Sequence, residues 1–296
     1  MRSIVTQENF DVSNADSEAI HIEIYENEIP SFVESVLEGL YSSIYTTVMR
    51  LQLYDNLMGV NTCLMKEGTK IVAAILYRIS RETIYVLNQQ VVLPQHLIVA
   101  FAKYIFFACK QARKIEFYAL DLSVIPQEFS FPYQQVAMLE ENVISLPKSV
   151  GDYINQVRPK MRKEVLRSIK MAKSKEQSYR FEMLSGDQIH SNTVNAIIRL
   201  TDKRMSSKNL PSYISDTEIS KLAILSRKYG GIAVIRINDE ICAGHIWFNV
   251  GKRYFSHLMG HDPNYNKYGL GNQVQFLAIL HCISAGGEEY CMMGGR

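Results

Sequence analysis

The sequence has 296 residues and 47% hydrophobic content, enough apolar material for one large domain or two smaller ones, which excludes disorder over much of the chain. Its 32 basic and 30 acidic residues give a net charge of +2, which excludes a global charge bias toward nucleic acid or membrane. The five cysteines are scattered and form no Cys-x-x-Cys pair, a pattern typical of reduced thiols rather than of disulfides or a zinc site.

The first 20 residues are polar and contain no apolar run of the length that a signal peptide needs, so they are expected to be a loose lead-in. The longest apolar stretch, 97–109, is interrupted by Lys103 and is shorter than the roughly 20 residues that cross a bilayer. We therefore expect a cytoplasmic protein with no membrane span and no bound metal.

The first half of the chain predicts the order helix, three strands, helix, strand. Ser31 and Glu34 have the spacing of a capping box, and apolar residues follow at helical spacing as far as Leu51, which predicts one helix. Short β-rich runs then alternate with turn-prone residues. The predicted segments are strands near 60–66, 70–78 and 83–89, a helix near 95–112 and a strand near 115–120.

A proline-containing connector is expected at 121–135, and after a basic helix at 161–175 the same order repeats. Ser185 and Gln188 have capping-box spacing ahead of a helix to about 204, and a second helix is expected from Ser215 to the glycines at 230–231. The remaining predicted segments are strands near 231–237, 241–250 and 253–260, a helix after the loop 266–271, and a strand near 288–293.

Two copies of this order indicate a mixed α+β (α/β) fold with two related halves, which we place at residues 1–145 and 146–296. No residue-level repeat accompanies the repeated pattern. The halves are therefore related by the order of their elements alone.

The loop 266–271, Asn-Lys-Tyr-Gly-Leu-Gly, lies between the third strand of the second meander and an apolar helix. A helix N-terminus exposes unpaired backbone N–H groups and the positive end of its dipole, so it attracts anions. Gly269 and Gly271 would remove the Cβ atoms that hold a phosphate away, and Lys267 adds a positive charge. The alternative is that the two glycines only shape a strand-to-helix turn.

At this loop the sequence resembles the GNAT superfamily of N-acetyltransferases, whose pyrophosphate loop reads Gln/Arg-x-x-Gly-x-Gly/Ala. The chain matches at Gly269 and Gly271 and departs at Asn266, which weakens one side-chain contact and leaves the backbone cradle intact. Two such halves, the basic helix between them, and the stretches 243–247 and 260–263 make the chain similar to the FemAB-like and CelD-like tandem acyltransferases.

The resemblance implies that the N-terminal half is a degenerate copy that shapes an acceptor cleft, because residues 89–94 replace the glycine loop there. It implies that the C-terminal half binds acyl-CoA, such as acetyl-CoA, with the thioester arm beside the third strand, where Gly260 allows close approach. The donor-binding residues so implied are Leu258, Met259, Gly260, Asn266, Lys267, Tyr268, Gly269, Leu270, Gly271 and Asn272.

Acyl transfer to an amine needs a group that removes the amine proton. A two-residue turn at 251–252 pairs His245 with Leu258, puts His245 and Ser256 on one polar face, and points His257 into the apolar layer. We expect His245 to open from this face into the cleft beside the thioester, which favours it as the base, whereas nearness to the thioester strand favours His257. For each histidine the alternative is a structural role.

The pattern does not identify an acid. GNAT enzymes usually continue past the last strand into a helix with a tyrosine acid and two further strands, whereas this sequence ends at Arg296. Either the sequence is shortened, or the missing strand and acid come from elsewhere, such as the N-terminal half. Tyr290 is available as a catalytic candidate.

Residues 158–175 contain eight basic residues and one acidic residue, Glu164. One interpretation is a solvated helix face, and the other is a docking surface for an acidic acyl-carrier protein or for the phosphates of an aminoacyl-tRNA. Interleaved aromatic residues for base stacking are absent, which counts against sequence-specific RNA binding.

The leading hypothesis is an N-acyltransferase that moves an acyl group from acyl-CoA or an acyl-carrier protein to an amine. One alternative is a catalytically inactive GNAT-like scaffold that binds a partner. The other is a FemAB-like transferase that depends on aminoacyl-tRNA.

Overall fold

A computed structural model of the chain describes residues 5–9, 20–121, 131–136, 141–206 and 215–292. The chain divides into two compact units between Met138 and Leu139. Each unit is built on its own six-stranded sheet flanked by helices. The expectation of a mixed α+β fold with two related halves is therefore confirmed.

The N-terminal unit has a sheet in the order β1-β2-β3-β4-β5-β7, and a separate parallel pair, β6 and β8. Its elements are β1 (Val5–Asn9), β2 (Ile20–Tyr25), α1 (Val33–Tyr41), α2 (Val48–Tyr54), β3 (Val60–Glu67), β4 (Lys70–Ser80), β5 (Thr83–Val86), β6 (Val91–Val92), α3 (Gln95–Ala108), β7 (Lys114–Phe117) and β8 (Leu120–Asp121). Helix α3 packs through Phe101 against one face of the sheet, and α1 packs through Leu37 against the other.

Three predictions for this unit are wrong. The expected lead-in contains β1, which pairs antiparallel with β2. The expected single helix is two helices, because Ser42 ends α1 in the left-handed region with a φ of 44° and Thr47 caps α2 by accepting from the Arg50 N–H. The predicted cap at Ser31 does not form, since α1 follows Phe32 without a side-chain cap. Most of the predicted connector, 122–130, lies outside the described residues.

The C-terminal unit has a sheet in the order β10-β11-β12-β13-β14-β9. Its elements are β9 (Val143–Ser145), α4 (Val150–Gln156), α5 (Pro159–Lys175), β10 (Arg180–Ser185), α6 (Ser191–Ser206), α7 (Asp216–Tyr229), β11 (Gly230–Ile237), β12 (Glu240–Val250), β13 (Arg253–His261), α8 (Leu270–Ser284) and β14 (Glu289–Cys291). The predicted meander, β11 to β13, is present with its two turns.

Three elements of this unit were not predicted, namely β9, α4 and β10. Ser185 and Gln188 do form a capping box, but it caps a short 3₁₀ turn, Gly186–Gln188, and α6 begins later. Strand β9 pairs antiparallel with β14. Strand β9, which precedes the meander in the chain, is thus the edge strand next to β14.

Helix α6 lies unusually close to one face of the C-terminal sheet because two facing positions are glycine. A Cβ at Gly244 would lie 2.3 Å from the Ile197 side chain, and a Cβ at Gly260 would lie 2.7 Å from the backbone of Ile197 and Thr201. Helix α8 covers the opposite face with buried residues that include Val274 and Ile279. The two glycines therefore set the distance between α6 and the sheet.

We expect Gly260→Ala to lower the free energy of unfolding of the C-terminal unit by about 1–3 kcal/mol, because the added methyl group meets helix backbone. Trp247 is the sole tryptophan and belongs to this unit, so its fluorescence during urea unfolding measures the change. Gly151→Ala is the control, since its Cβ meets only the Ser149 Oγ at 3.8 Å. Equal stability of the two variants would contradict the close packing of α6.

Candidate functional site

Strands β13 and β14 separate after three paired positions. The parallel pairs are Arg253 with Glu289, Tyr254 with Tyr290, and Phe255 with Cys291. Met292, the residue after β14, donates its N–H to the Asn142 carbonyl at 2.8 Å and so continues the pairing on the β9 side.

Strand β13 continues to His261, paired only with β12. Within the described part of the chain, the edge of residues 256–261 toward β14 therefore has no strand partner. An extended ligand can bind such an open edge through backbone hydrogen bonds.

A β-bulge lies where the two strands part. The predicted pairs from Val250–Arg253 to Trp247–Ser256 are confirmed, and then Ile246 pairs with Leu258. Thus His257 is the additional residue, and the predicted pairing of His245 with Leu258 is wrong because His245 pairs with Met259. A bulge bends its strand, which here coincides with the departure of β13 from β14.

The bulge also corrects the expected position of His257. Its side chain is exposed instead of lying in the apolar layer, and its ring centroid is 5.0 Å from that of Phe248. The one-residue shift in register moves the histidine out of the alternation that the sequence predicted.

Three polar side chains meet on the α8 side of the sheet. The Nε2 atom of His245 lies 3.0 Å from the Ser256 Oγ and 3.3 Å from the Tyr290 Oη. Both His245 and Tyr290 are fully buried, whereas Ser256 is partly exposed. The structure therefore brings two of the three predicted catalytic residues together and adds Ser256, whose place on the same polar face as His245 was the signal available in the sequence.

Burial keeps this cluster uncharged at neutral pH. Desolvation, with a smaller contribution from the nearby His257, lowers the pKa of His245 to about 4. Desolvation raises the pKa of Tyr290 above its ordinary value. The expectation that His245 opens into a cleft is wrong for the described residues, since its side chain is 0% exposed; its role as a base stays a prediction.

The N-terminus of α8 lies just beyond the end of β13. A 3₁₀ turn, Pro263–Tyr268, leads to Gly269, whose φ of 59° lies in the left-handed region and which starts α8 with no side-chain cap. The Gln273 N–H donates to the Gly269 carbonyl at 3.1 Å. The N–H groups of residues 270–272 therefore precede the first α-helical hydrogen bond and carry the positive end of the helix dipole.

The glycines of this region have different roles. A Cβ at Gly269 would point into open space, so this residue is required by its φ and leaves room for a ligand at the helix end. A Cβ at Gly271 would lie 2.9 Å from the His261 Nδ1, so Gly271 makes room for the His261 ring. The expected role of Gly260 in ligand approach is wrong, because α6 occupies that space.

The remaining predicted donor-binding residues divide by exposure. Asn266, Lys267 and Asn272 are exposed, and the Asn266 Oδ1 lies 3.1 Å from the His261 Nε2. By contrast, Tyr268 and Leu270 are buried and anchor the loop from inside. The side chains of Leu258 and Met259, on the open part of β13, are partly exposed.

A buried amide, which the sequence analysis missed, fixes this loop against α5. The Gln273 Nε2 donates to the Tyr268 carbonyl at 2.8 Å and to the Ser168 Oγ at 3.3 Å, and its Oε1 accepts from the Tyr179 hydroxyl at 2.9 Å. The Tyr268 hydroxyl donates to Glu176 at 2.7 Å. A glutamine within an otherwise apolar helix was the signal available in the sequence.

Helix α5 presents a basic face to solvent. Arg162 is partly buried and its Nη1 donates to the Ile154 carbonyl at 3.1 Å, so this residue has a structural role. At spacings of three and four residues, one helical face carries four exposed basic residues: Lys160, Lys163, Arg167 and Lys170.

The corresponding region of the N-terminal unit is closed. All four residues of β5 pair with β7, and β6 and β8 then pair in the same parallel sense. The Asn88 side chain accepts from the Leu76 N–H at 2.7 Å and donates to the Ala74 carbonyl at 3.0 Å. Helix α3 follows Pro94 instead of a glycine loop. The described residues of the first unit thus contain neither the open edge nor the glycine-preceded helix of the second.

The comparisons with known proteins agree with this geometry. Residues 159–296 match the family model of an acetyltransferase (GNAT) domain. Among solved structures, FemX superposes with a TM-score of 0.64 at 9% identity, covering 92% of this chain and 88% of FemX. The L-PGS of Bacillus licheniformis superposes with a TM-score of 0.55 at 14% identity, covering 90% of this chain and 76% of that one. No curated protein sequence matches significantly.

Residues 159–296 therefore match a GNAT acetyltransferase domain, and the chain has a tandem GNAT fold of the FemX type. The resemblance to the GNAT superfamily is confirmed, and the matched domain assigns the protein to the acyltransferases. None of the helices in the described residues is long and apolar enough to cross a membrane. The same part of the chain contains no cluster of three or more His, Cys, Asp or Glu side chains suited to a metal.

The depressed pKa of His245 predicts a specific dependence of stability on pH. Because the folded protein favours the neutral ring, the contribution of His245 is complete above the ordinary pKa of 6.5 and is lost as the pH falls toward about 4. Over this pH range, the unfolding free energy of the wild-type protein should fall by up to about 3 kcal/mol more than that of His245→Gln. Urea unfolding followed by Trp247 fluorescence measures it, and identical pH profiles for wild type and variant would contradict the burial of a neutral ring.

Proposed function

We propose that the protein transfers an acyl group from acyl-CoA, with acetyl-CoA as the simplest donor, to an amine. The observation that carries this proposal is the continuity of the open β13 edge with the N-terminus of α8. Five residue steps separate Ser256 from His261, or about 17 Å of extended strand. This length suits a phosphopantetheine arm whose phosphates lie at α8 and whose thioester lies near Ser256.

The residues present fit such a donor. The N–H groups of residues 270–272 and the dipole of α8 would hold the phosphates, and the space beside Gly269 leaves room for them. The β13 backbone between Ser256 and His261, on the side away from β12, would bind the amides of the arm as an added strand. The bound donor supplies an activated thioester, and the protein orients it.

The N-terminal unit, in this proposal, is a degenerate copy, since its described residues form no donor groove of their own. A cytoplasmic location is also part of the proposal. The five cysteines are free thiols, as expected for a reducing compartment.

Asn272→Asp tests the donor site while preserving the helix. A carboxylate in the first turn of α8 interacts favourably with the helix dipole, so stability should not fall, but it repels a phosphate at the same place. We expect the affinity for CoA, measured by calorimetry, to fall about tenfold or more. Gly271→Val is less specific, because its side chain would also displace His261.

Asn272→Gln is the neutral control and should bind CoA like the wild type. Equal CoA affinity of the Asp and Gln variants would reject the phosphate site at α8. Absence of CoA binding by the wild-type protein would reject the donor assignment and favour the inactive scaffold or a donor delivered by a macromolecule.

A second candidate is a donor carried by an acidic acyl-carrier protein. The observation that favours it is the basic face of α5, on a helix that is joined to the donor loop through Gln273 and Ser168. A carrier bound there could direct its arm toward the groove. Aminoacyl-tRNA is the other anionic donor suited to this face.

The variant Lys163→Glu/Arg167→Glu/Lys170→Glu should weaken binding of an acetylated acyl-carrier protein at least tenfold and leave CoA binding unchanged. Titration of the carrier protein at low and physiological salt measures the first effect, and calorimetry with CoA measures the second. The change removes six units of charge from exposed side chains only.

Lys70→Glu/Lys110→Glu/Lys148→Glu is the matched control, because it makes the same charge change at exposed positions elsewhere. An equal effect of the two triple variants would show that only net charge matters. Unchanged carrier binding together with weakened aminoacyl-tRNA binding would assign the face to RNA.

A further inference from the structure

The cluster of His245, Ser256 and Tyr290 has one member that a ligand can reach. The side chains of His245 and Tyr290 are 0% exposed, and Ser256 alone of the three is partly exposed. Ser256 is also the first residue of β13 beyond its pairing with β14. Its hydroxyl therefore lies where the open edge begins.

The position of the ring proton decides what His245 does to this hydroxyl. Among the described residues the buried Nδ1 has no hydrogen-bond partner, whereas Nε2 lies close to two hydroxyl oxygens. An unpaired buried N–H is costlier than an unpaired lone pair in such a site, so the proton is assigned to Nε2. In this tautomer His245 donates a hydrogen bond to the Ser256 Oγ, which leaves the serine proton free to point away from the cluster.

We propose that Ser256 is a catalytic residue whose hydroxyl donates a hydrogen bond to the negative charge that develops on the thioester during attack by the amine. His245 and Tyr290 are positioning residues that orient this hydroxyl from the buried side of the cluster. The inference rests on the proposed acyl transfer, and it replaces the expectation of His245 as a general base.

The proposed role needs no charge within the cluster. The C–N bond forms and the C–S bond breaks, the amine loses its proton to water, and the departing sulfur takes one from water. A neutral, pre-oriented donor in a buried setting stabilises developing charge without reorganisation. Such a role agrees with a site whose histidine and tyrosine are both held in their neutral forms by burial.

Ser256→Ala and Ser256→Thr test the hydroxyl directly. Thiol release from acetyl-CoA, with water or a panel of primary amines as acceptor, should fall about 10²-fold in kcat for the alanine variant, with the affinity for CoA unchanged. Threonine keeps the hydroxyl and should restore most of the rate. An unchanged rate in Ser256→Ala, or no thiol release by a wild-type protein that binds CoA, would overturn the role of Ser256.

His245→Gln and His245→Leu distinguish a donor from a base. Glutamine keeps an N–H near the position of Nε2 and should retain most of the activity, whereas leucine should not. The activity should show no inflection from His245 above about pH 5; the other groups near the ring are His257, Tyr290 and, through Trp247, His281.

Imidazole ¹⁵N spectra of the wild-type protein test the tautomer without any assay of activity. A proton on Nε2 is expected, and a proton on Nδ1 would overturn the inference. CoA calorimetry distinguishes failure of the proposed function from failure of the role of Ser256. Absence of CoA binding by the wild-type protein rejects the proposed function. Normal CoA binding, together with a proton on Nδ1 or an unchanged rate in Ser256→Ala, rejects only the role of Ser256.

Discussion

Strand β13 pairs with β14 only as far as Phe255 in the described residues, and the proposed donor site of the C-terminal unit follows from this limit. Unpaired backbone groups are costly when buried, so an edge opened inside a sheet has to face solvent or a ligand. The bulge at His257 follows the last β13–β14 pair, and β14 is paired on its other side with β9. The open edge then leads to the start of α8, whose own first N–H groups also need partners.

The two units show what the same fold does with and without this opening. In the N-terminal unit β5 is paired along its whole length with β7, and the Asn88 side chain completes hydrogen bonds of β4. In the C-terminal unit β13 extends past its last pair with β14 without a second strand partner among the described residues, and the buried Gln273 holds the adjoining loop in place. Fold alone therefore does not determine the site; the difference lies in a few strand pairings and one buried amide.

The sequence predicted much of this architecture and missed its local geometry. Hydrophobic periodicity and turn residues located the second meander and α8, since these depend on neighbours in the chain. The strand β9 was missed because three residues give too short a pattern, and its pairing with β14 is long-range. The pairing of His245 and the position of His257 were predicted wrongly because a single bulge shifts the register of β13, and periodicity does not report bulges.

Hydrogen exchange with and without CoA reports directly on the backbone groups that are proposed to bind the donor. We expect CoA to slow amide exchange in residues 256–261 and 270–272 and to leave 83–86 and the start of α3 unchanged. Protection confined to the N-terminal unit, or protection that spares both the β13 edge and the first turn of α8, would contradict this expectation.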